Sequence, residues 1–131
     1  MKDLRLSADS TSEEVAPFAL AVHSLAGLPV TMRSRNKKGV QIEKGEVLDY
    51  DYTGPILERV LKENRVIRTI PKSGKYQGTP IIVSPIRNKD GDVIAAVGIV
   101  DVIGIIDLAS LCEAYPHIVQ QVSDYFKKLK D

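Results

Sequence analysis

The spacing of apolar residues changes twice along the chain, and each change marks a new kind of element. Val15, Phe18, Leu20, Val22 and Leu25 follow a polar stretch in which both Ser10-x-x-Glu13 and Thr11-x-x-Glu14 fit a capping box. This predicts a helix over residues 13–26, stopped by Gly27 and Pro29. Pro17 is comfortable only in a first turn, which puts the start of the regular helix near Ala16. The period then falls to two. Val30 to Ser34 alternates weakly and Val40-Gln41-Ile42-Glu43 cleanly, so the two form a hairpin around Asn36-Lys37-Lys38-Gly39. Gly45 interrupts the second strand, and Val47-Leu48 continues it after a bend. Thr53-Gly54-Pro55 opens a second helix whose stripe is Ile56, Leu57, Val60 and Leu61, and Asn64 ends it.

The second half is richer in strands. Val66 to Ile70 is β-rich, Pro71 to Gly78 is a loop, and Thr79 to Ile86 is a strand in which Pro80 or Pro85 marks a bulge or an end. Asn88-Lys89-Asp90-Gly91-Asp92 is a hairpin turn. Val93 to Val102 is almost continuously apolar, as expected of a strand covered on both faces or central in its sheet. Residues 105–129 read as a helix split or kinked at Pro116, with Ile118, Val122, Tyr125, Phe126 and Leu129 on one face. Lys127, Lys128 and Lys130 complement its C-terminus. The predicted fold is α+β: a single five-stranded antiparallel sheet with flanking helices, in the order αββαβββα. The crossover helix covers one face, and the first and last helices cover the other or form a dimer surface. Residues 1–11 form a loose N-terminal arm and residues 12–131 the domain.

Composition narrows the setting. A chain of 131 residues, 44% hydrophobic and 27% charged, fits one globular domain with an ordinary core. The net charge of +1, from 18 basic and 17 acidic residues, gives no global pull toward nucleic acid or an acidic membrane. A single cysteine, Cys112, excludes an internal disulfide and suits a reducing compartment. The most apolar stretch, Val93 to Ile106, carries Asp101 and two glycines and is too short for the ~20 apolar residues of a bilayer span. Nothing at the N-terminus reads as a signal peptide. The expected location is the cytoplasm, with neither nucleic acid nor membrane as partner.

One stretch carries a resemblance: Gly78-Thr79-Pro80-Ile81-Ile82-Val83-Ser84-Pro85-Ile86, then Asn88-Lys89-Asp90-Gly91-Asp92, then Val93-Ile94-Ala95-Ala96-Val97-Gly98-Ile99-Val100-Asp101. A strand, a tight Asp-Gly turn and a second strand of this kind are similar to the last two strands of many sensory domains. With the element order, they resemble the PAS, GAF and roadblock/profilin-like group. The whole chain also resembles an archaeal family of unknown function known from methanogens. These resemblances imply the fold and a cytoplasmic setting, and neither implies a ligand or an activity.

Catalytic patterns are absent from the sequence. There is no G-x-S-x-G, phosphate loop or G-x-G-x-x-G, and Gly74-Lys75-Tyr76-Gln77-Gly78 reads as a flexible hairpin loop. His23 reads as a partly buried helical residue and His117 as a solvated one; neither has ligands at metal spacing. Cys112 reads as core filler, with no base or orienting group indicated for a nucleophile. Asp101 shares strand parity with Val93, Ala95, Val97 and Ile99, and a carboxylate among apolar residues needs partners. Either it holds backbone N–H groups at a turn where the strand ends, or it faces a ligand. Ala95, Ala96 and Gly98 either admit a close helix or leave room for a ligand. Tyr50, Tyr52 and Tyr76 fall in segments that would border such a pocket or simply anchor loops. Arg33, Arg35, Lys37 and Lys38 could meet an anion, as could Lys62, Arg65, Arg68, Lys72 and Lys75. Nearby Glu43, Glu46, Asp49 and Asp51 balance them as ordinary solvated faces.

Three functions compete. The favoured expectation is a small-molecule-sensing or regulatory ligand-binding domain without catalytic activity. Its pocket lies between the sheet and the helix near 54–64, lined or rimmed by Asp101, Ser84, Arg33, Tyr50, Tyr52 and Tyr76. Its output passes to a partner signalling protein or a second copy. The alternative is a roadblock/profilin-like dimerising adaptor with a filled core and an exposed apolar patch; the 5% aromatic content leans slightly that way. An enzyme is third, since convergence of titratable groups is invisible in sequence. The sequence names no cofactor, and a homodimer is expected in either leading case.

Overall fold

A computed structural model describes residues 3–104 and residue 106. The readings placed on Cys112, Pro116, His117 and the helix beyond Gly104 lie outside the described residues. The elements are α1 (Ser12–Ala26), β1 (Val30–Ser34), β2 (Gly39–Glu43), β3 (Glu46–Tyr52), α2 (Pro55–Glu63), β4 (Ile67–Thr69), β5 (Ile81–Arg87) and β6 (Val93–Val100). The strands form one antiparallel sheet in the order β3-β2-β1-β6-β5-β4. Two three-stranded meanders thus meet at the β1–β6 seam, and β6, the most apolar segment, is central.

The α+β class and the single antiparallel sheet are as expected, but the sheet has six strands, not five. The reason lies at Lys44-Gly45. Both residues have positive φ, 53° and 83°, and Glu43 pairs with Glu46 across them. A two-residue turn of that kind reverses the chain, so Gly45 is a hairpin tip and not a bend within one strand. The new strand, β3, lies on the sheet edge and is mostly exposed, so burial imposes little pattern on its sequence. The order among the described residues is therefore αβββαβββ, followed by a helical turn beginning at Val102.

Strand parity assigns the helices to opposite faces. Side chains alternate along a strand. On β6, Ala95 packs with α1 while Ala96 packs with α2. The α1 face gathers Val15, Ala16 and Ala19 over Val30, Met32, Val40 and Ile42, all buried. The α2 face gathers Ile56, Leu57 and Val60 over Ile67, Val83 and Ala96. α1 is capped by Thr11, whose hydroxyl accepts from the Glu14 N–H, while the Glu14 carboxylate accepts from the Thr11 N–H. That makes Thr11-x-x-Glu14 the capping box. Helix α1 starts at Ser12, earlier than expected, and runs through Pro17. Pro17 removes one ladder donor, but both it and Glu13, whose carbonyl loses that bond, are exposed to water.

Two other segments differ from their sequence reading. Residues 6–10 of the N-terminal arm are tied down: Leu6 packs on the α1 face, Ser10 is buried, and Ser34 Oγ donates to the Ser10 carbonyl at 2.7 Å. Pro80 precedes β5, and Pro85 lies within it opposite Ala96. The neighbouring β4 reaches only to Val83, so a missing N–H at Pro85 can interrupt only one ladder. His23 joins α1 to the β2–β3 turn. Its Nδ1–H donates to the Leu28 carbonyl at 2.6 Å, and its Nε2 accepts from the Gly45 N–H at 2.9 Å.

Candidate functional site

The two faces are finished differently. Above β1 and β6 on the α2 face, the sheet has a low floor made by Gly98, Val83 and Thr31. A Cβ on Gly98 would stand 2.9 Å from Val83 Cγ2 and 3.1 Å from Thr31 Oγ1, so glycine alone leaves that space open. The first turn of α2, Gly54 to Leu57, forms one wall, Tyr52 another, and the 71–76 loop a third. Together they enclose a cavity of about 30 Å³ with one side open. That is enough for a few waters or a compact chemical group, since one water needs about 10–15 Å³ by this measure. A whole haem or flavin does not fit.

The 71–76 loop is held over the sheet by a polar triangle that sequence reasoning missed. The Tyr76 hydroxyl donates to Glu43 Oε1 at 2.9 Å and accepts from Gln41 Nε2 at 3.3 Å, and Gln41 Nε2 also reaches Glu43 Oε1 at 3.2 Å. Gln41 is buried, and a buried amide without partners would be costly. Burial pushes the Tyr76 phenol well above its ordinary pKa; Glu43, as acceptor and as charge, pushes the same way, while the Gln41 bond opposes. Tyr76 is thus a neutral donor at physiological pH. Burial also raises Tyr52, helped by the charge of Asp49.

Helix α2 begins without a side-chain cap. Its N-cap is Gly54 in extended conformation, Pro55 fills the first turn, and the first helical bond of the turn runs from the Glu58 N–H to the Gly54 carbonyl. The N–H groups of Ile56 and Leu57 therefore have no helical partner. Arg33 fixes where this helix starts: its guanidinium donates to Thr53 Oγ1 at 2.9 Å and to the Ser34 and Arg35 carbonyls. Gly54 also lets the Tyr52 ring lie close, since a Cβ there would stand 2.9 Å from its hydroxyl.

Of the six residues proposed from sequence, Tyr52 and Tyr76 line this cavity. Arg33 stands behind it, through Thr53. Tyr50 is exposed on β3, about half accessible at 51%. Ser84 has the parity of the α1 face, opposite Val97, and its hydroxyl donates to the Pro85 carbonyl. Asp101 lies just beyond β6, at the turn. Its carboxylate accepts from the Gly104 N–H at 3.1 Å and meets Arg68 Nε at 3.3 Å, and its own N–H donates to the Pro80 carbonyl. Of its two sequence readings, the geometry realises the one in which the carboxylate serves a backbone turn. Lining residues that sequence reasoning does not single out include Thr31 and Ser73, and it does not place Pro55 and Lys75 at the pocket. Lys75 belongs to the basic run Lys62, Arg65, Arg68, Lys72 and Lys75 that the sequence offers either to an anion or to solvent.

Among the described residues, no cluster of three or more His, Cys, Asp or Glu side chains could hold a metal ion, and no helix is long and apolar enough to cross a membrane. Comparison with known proteins gives two matches. A family model described as an uncharacterized protein conserved in archaea (DUF2111) covers residues 22–103. The uncharacterized protein MJ0405 of Methanocaldococcus jannaschii is 48% identical over 101 residues, which is 76% of each chain. The family match spans every residue lining the cavity, all six strands and α2, and the last residues of α1. The chain belongs to this archaeal family of uncharacterized proteins.

Proposed function

We propose that this protein is a small-molecule-binding regulatory domain of the PAS/GAF-like group, and that its ligand enters the cavity beneath the first turn of α2. The observation that carries this reading is Gly98, at a central strand position where any side chain would close the floor. Around that floor, apolar surface from Leu57, Val83 and Ile81 meets a few polar tips from Thr31, Tyr52 and Tyr76. Small-molecule sites are commonly built that way. The crossover helix over one face of a meander sheet suits the same group, as does the β1–β6 seam. Binding would alter how α2 and the 71–76 loop sit, and a partner protein could read that change.

Native mass spectrometry of gently purified protein, repeated after denaturation, is the first test. An excess mass lost on denaturation is expected from the wild type and not from Gly98→Val. A folded wild type that carries no adduct, and that no metabolite in a thermal-shift library stabilises more than Gly98→Val, overturns the reading.

A second reading keeps a specific observation of its own. β3 is an outer strand with Leu48 and Tyr50, two residues apart, about half exposed at 49% and 51%. An unprotected edge with apolar side chains can pair with a second copy, which is the adaptor-like, homodimeric alternative. Sedimentation of wild type against Leu48→Lys tests it: a dimer dispersed by the substitution supports it, and a monomer in both removes it.

A further inference from the structure

We propose that the cavity receives the acidic end of its ligand, a compact oxyanion such as a carboxylate or a phosphate, held by the first turn of α2 together with Thr31 and Lys75. This rests on the preceding reading of the cavity as a ligand site and adds the chemistry of what enters it.

Four observations converge. The helix is nine residues long, and its N-terminus has no side-chain cap, so the Ile56 and Leu57 N–H groups are left as donors at the positive end of the helix dipole. α1 shows the contrast, since Thr11 and Glu14 occupy its first turn. Thr31 is more than nine-tenths buried, at 8% exposure, and lines the same cavity with a hydroxyl that has no hydrogen-bond partner among the described residues. It is not one of the sealed polar atoms left without a partner, so its oxygen is open to the cavity. A hydroxyl on so deeply placed a residue, open to the cavity, is free to hydrogen-bond whatever enters it. Finally, among the described residues the lining contains one charged residue, the cation Lys75, and no carboxylate. Of the nearby acids, Glu43 is engaged with Tyr76 and Gln41, and Asp49, whose charge acts on Tyr52, lies outside the lining.

Donors, a hydroxyl and a lone cation in a small recess select a negative group over a neutral or positive one. The volume, about 30 Å³, limits what is enclosed to that head group, and the rest of the molecule must leave through the open side. The hydroxyl of Thr31 reads as an orienting donor. Lys75, exposed and on the loop, reads as a counter-charge at the mouth.

The test is a titration followed by amide NMR, at constant ionic strength, with acetate, propionate and inorganic phosphate, each paired with a neutral control (acetamide, propionamide). Expected are saturable downfield shifts of the Ile56 and Leu57 amides with the acids and not with the amides. Thr31→Val, which keeps shape and branching, and Lys75→Gln should each weaken binding by about tenfold, as for hydrogen bonds and pairs with a charged partner. Carboxylate against phosphate ranks the two sources of the oxyanion. If the neutral amides bind as well as the acids, or Thr31→Val leaves affinity unchanged, the anion inference fails while the ligand cavity stands. If neither acids nor amides perturb Ile56 and Leu57 saturably, both fail. Dispersed spectra of both variants confirm that a loss is not unfolding.

Discussion

The two faces of the sheet differ in what their buried polar groups do. On the α1 face they close the structure. Ser34 donates to the Ser10 carbonyl, His23 links α1 to the β2–β3 turn, and Met32, Val40 and Ile42 are sealed beneath α1 at no more than 1% exposure. On the α2 face, similar chemistry props a gap open. Gln41, Tyr76 and Glu43 tie the 71–76 loop to β2 so that it arches over the sheet, Arg33 fixes the start of a helix that lacks a cap, and Gly98 leaves the floor bare. Among the described residues, one face is closed by its own partners and the other has donors left over.

The largest expected effect separates the faces by stability. Met32→Ala on the closed face should cost about 2–5 kcal/mol in urea unfolding, because it deletes a fully enclosed side chain in a core with no slack. Ile81→Ala at the cavity edge, where Ile81 is only half-buried, should cost clearly less. Equal losses would mean that the cavity side is packed as tightly as the other. Next in size is Gly98→Val. Its new side chain must press on Val83 and Thr31, for about 1–3 kcal/mol of strain, while abolishing ligand binding. A gain in stability would instead make the space a packing defect and break the contrast.

Tyr76→Phe comes third. It removes a donor from Glu43 and an acceptor from the buried Gln41, and should cost about 1–2 kcal/mol at neutral pH. Its pH signature is specific. The folded-state phenol pKa of Tyr76 lies above the ordinary value of 10.0, so its contribution is complete below that value and is lost as pH rises through the range between the unfolded and folded pKa values. Wild-type stability should therefore fall more steeply above pH ~10 than that of Tyr76→Phe. Parallel alkaline unfolding curves would show that the phenol is not held in this triangle.

How much of this could be read from the residues follows the same division. α1, the β1–β2 hairpin, α2 and the Asn88–Asp92 turn stand out because caps, turns and apolar stripes are local signals. β3 stands out less: Leu48-Asp49-Tyr50-Asp51-Tyr52 does alternate, but the turn that makes it a separate strand is Lys44-Gly45, and Lys44 is an unusual residue for a positive-φ position. Within the cavity, Tyr52 and Tyr76 were legible as amphipathic residues on segments flanking the crossover helix. Gln41 was not: in a cleanly alternating strand it looks like the solvent side, and only the returning 71–76 loop makes it buried. Asp101 drew attention for a sound reason, an acid at the end of an apolar strand, but its partners, Arg68 and the Gly104 N–H, come from elsewhere in the fold. Distances between segments decide such cases, and periodicity does not contain them.

The smallest effect compares the two helix starts directly. Thr11→Ala removes the α1 cap and should cost about 1 kcal/mol at neutral pH. Hydrogen bonds from the Thr11 backbone and side chain hold the Glu14 carboxyl below its ordinary pKa. A depressed acid contributes stability that is present above its unfolded pKa of about 4.5 and lost as pH falls through the folded one. The cost of Thr11→Ala should therefore shrink on acidification. Wild-type α1 should also be indifferent to added oxyanion, since it already carries its own acceptor. Among the described residues α2 has no such acceptor, and acetate or phosphate should protect it, slowing hydrogen exchange at Ile56 and Leu57 while leaving Glu14 and Val15 unchanged. Equal protection at both helices would be a general salt effect; protection at α2 alone would show that the chain leaves this end for something else to complete.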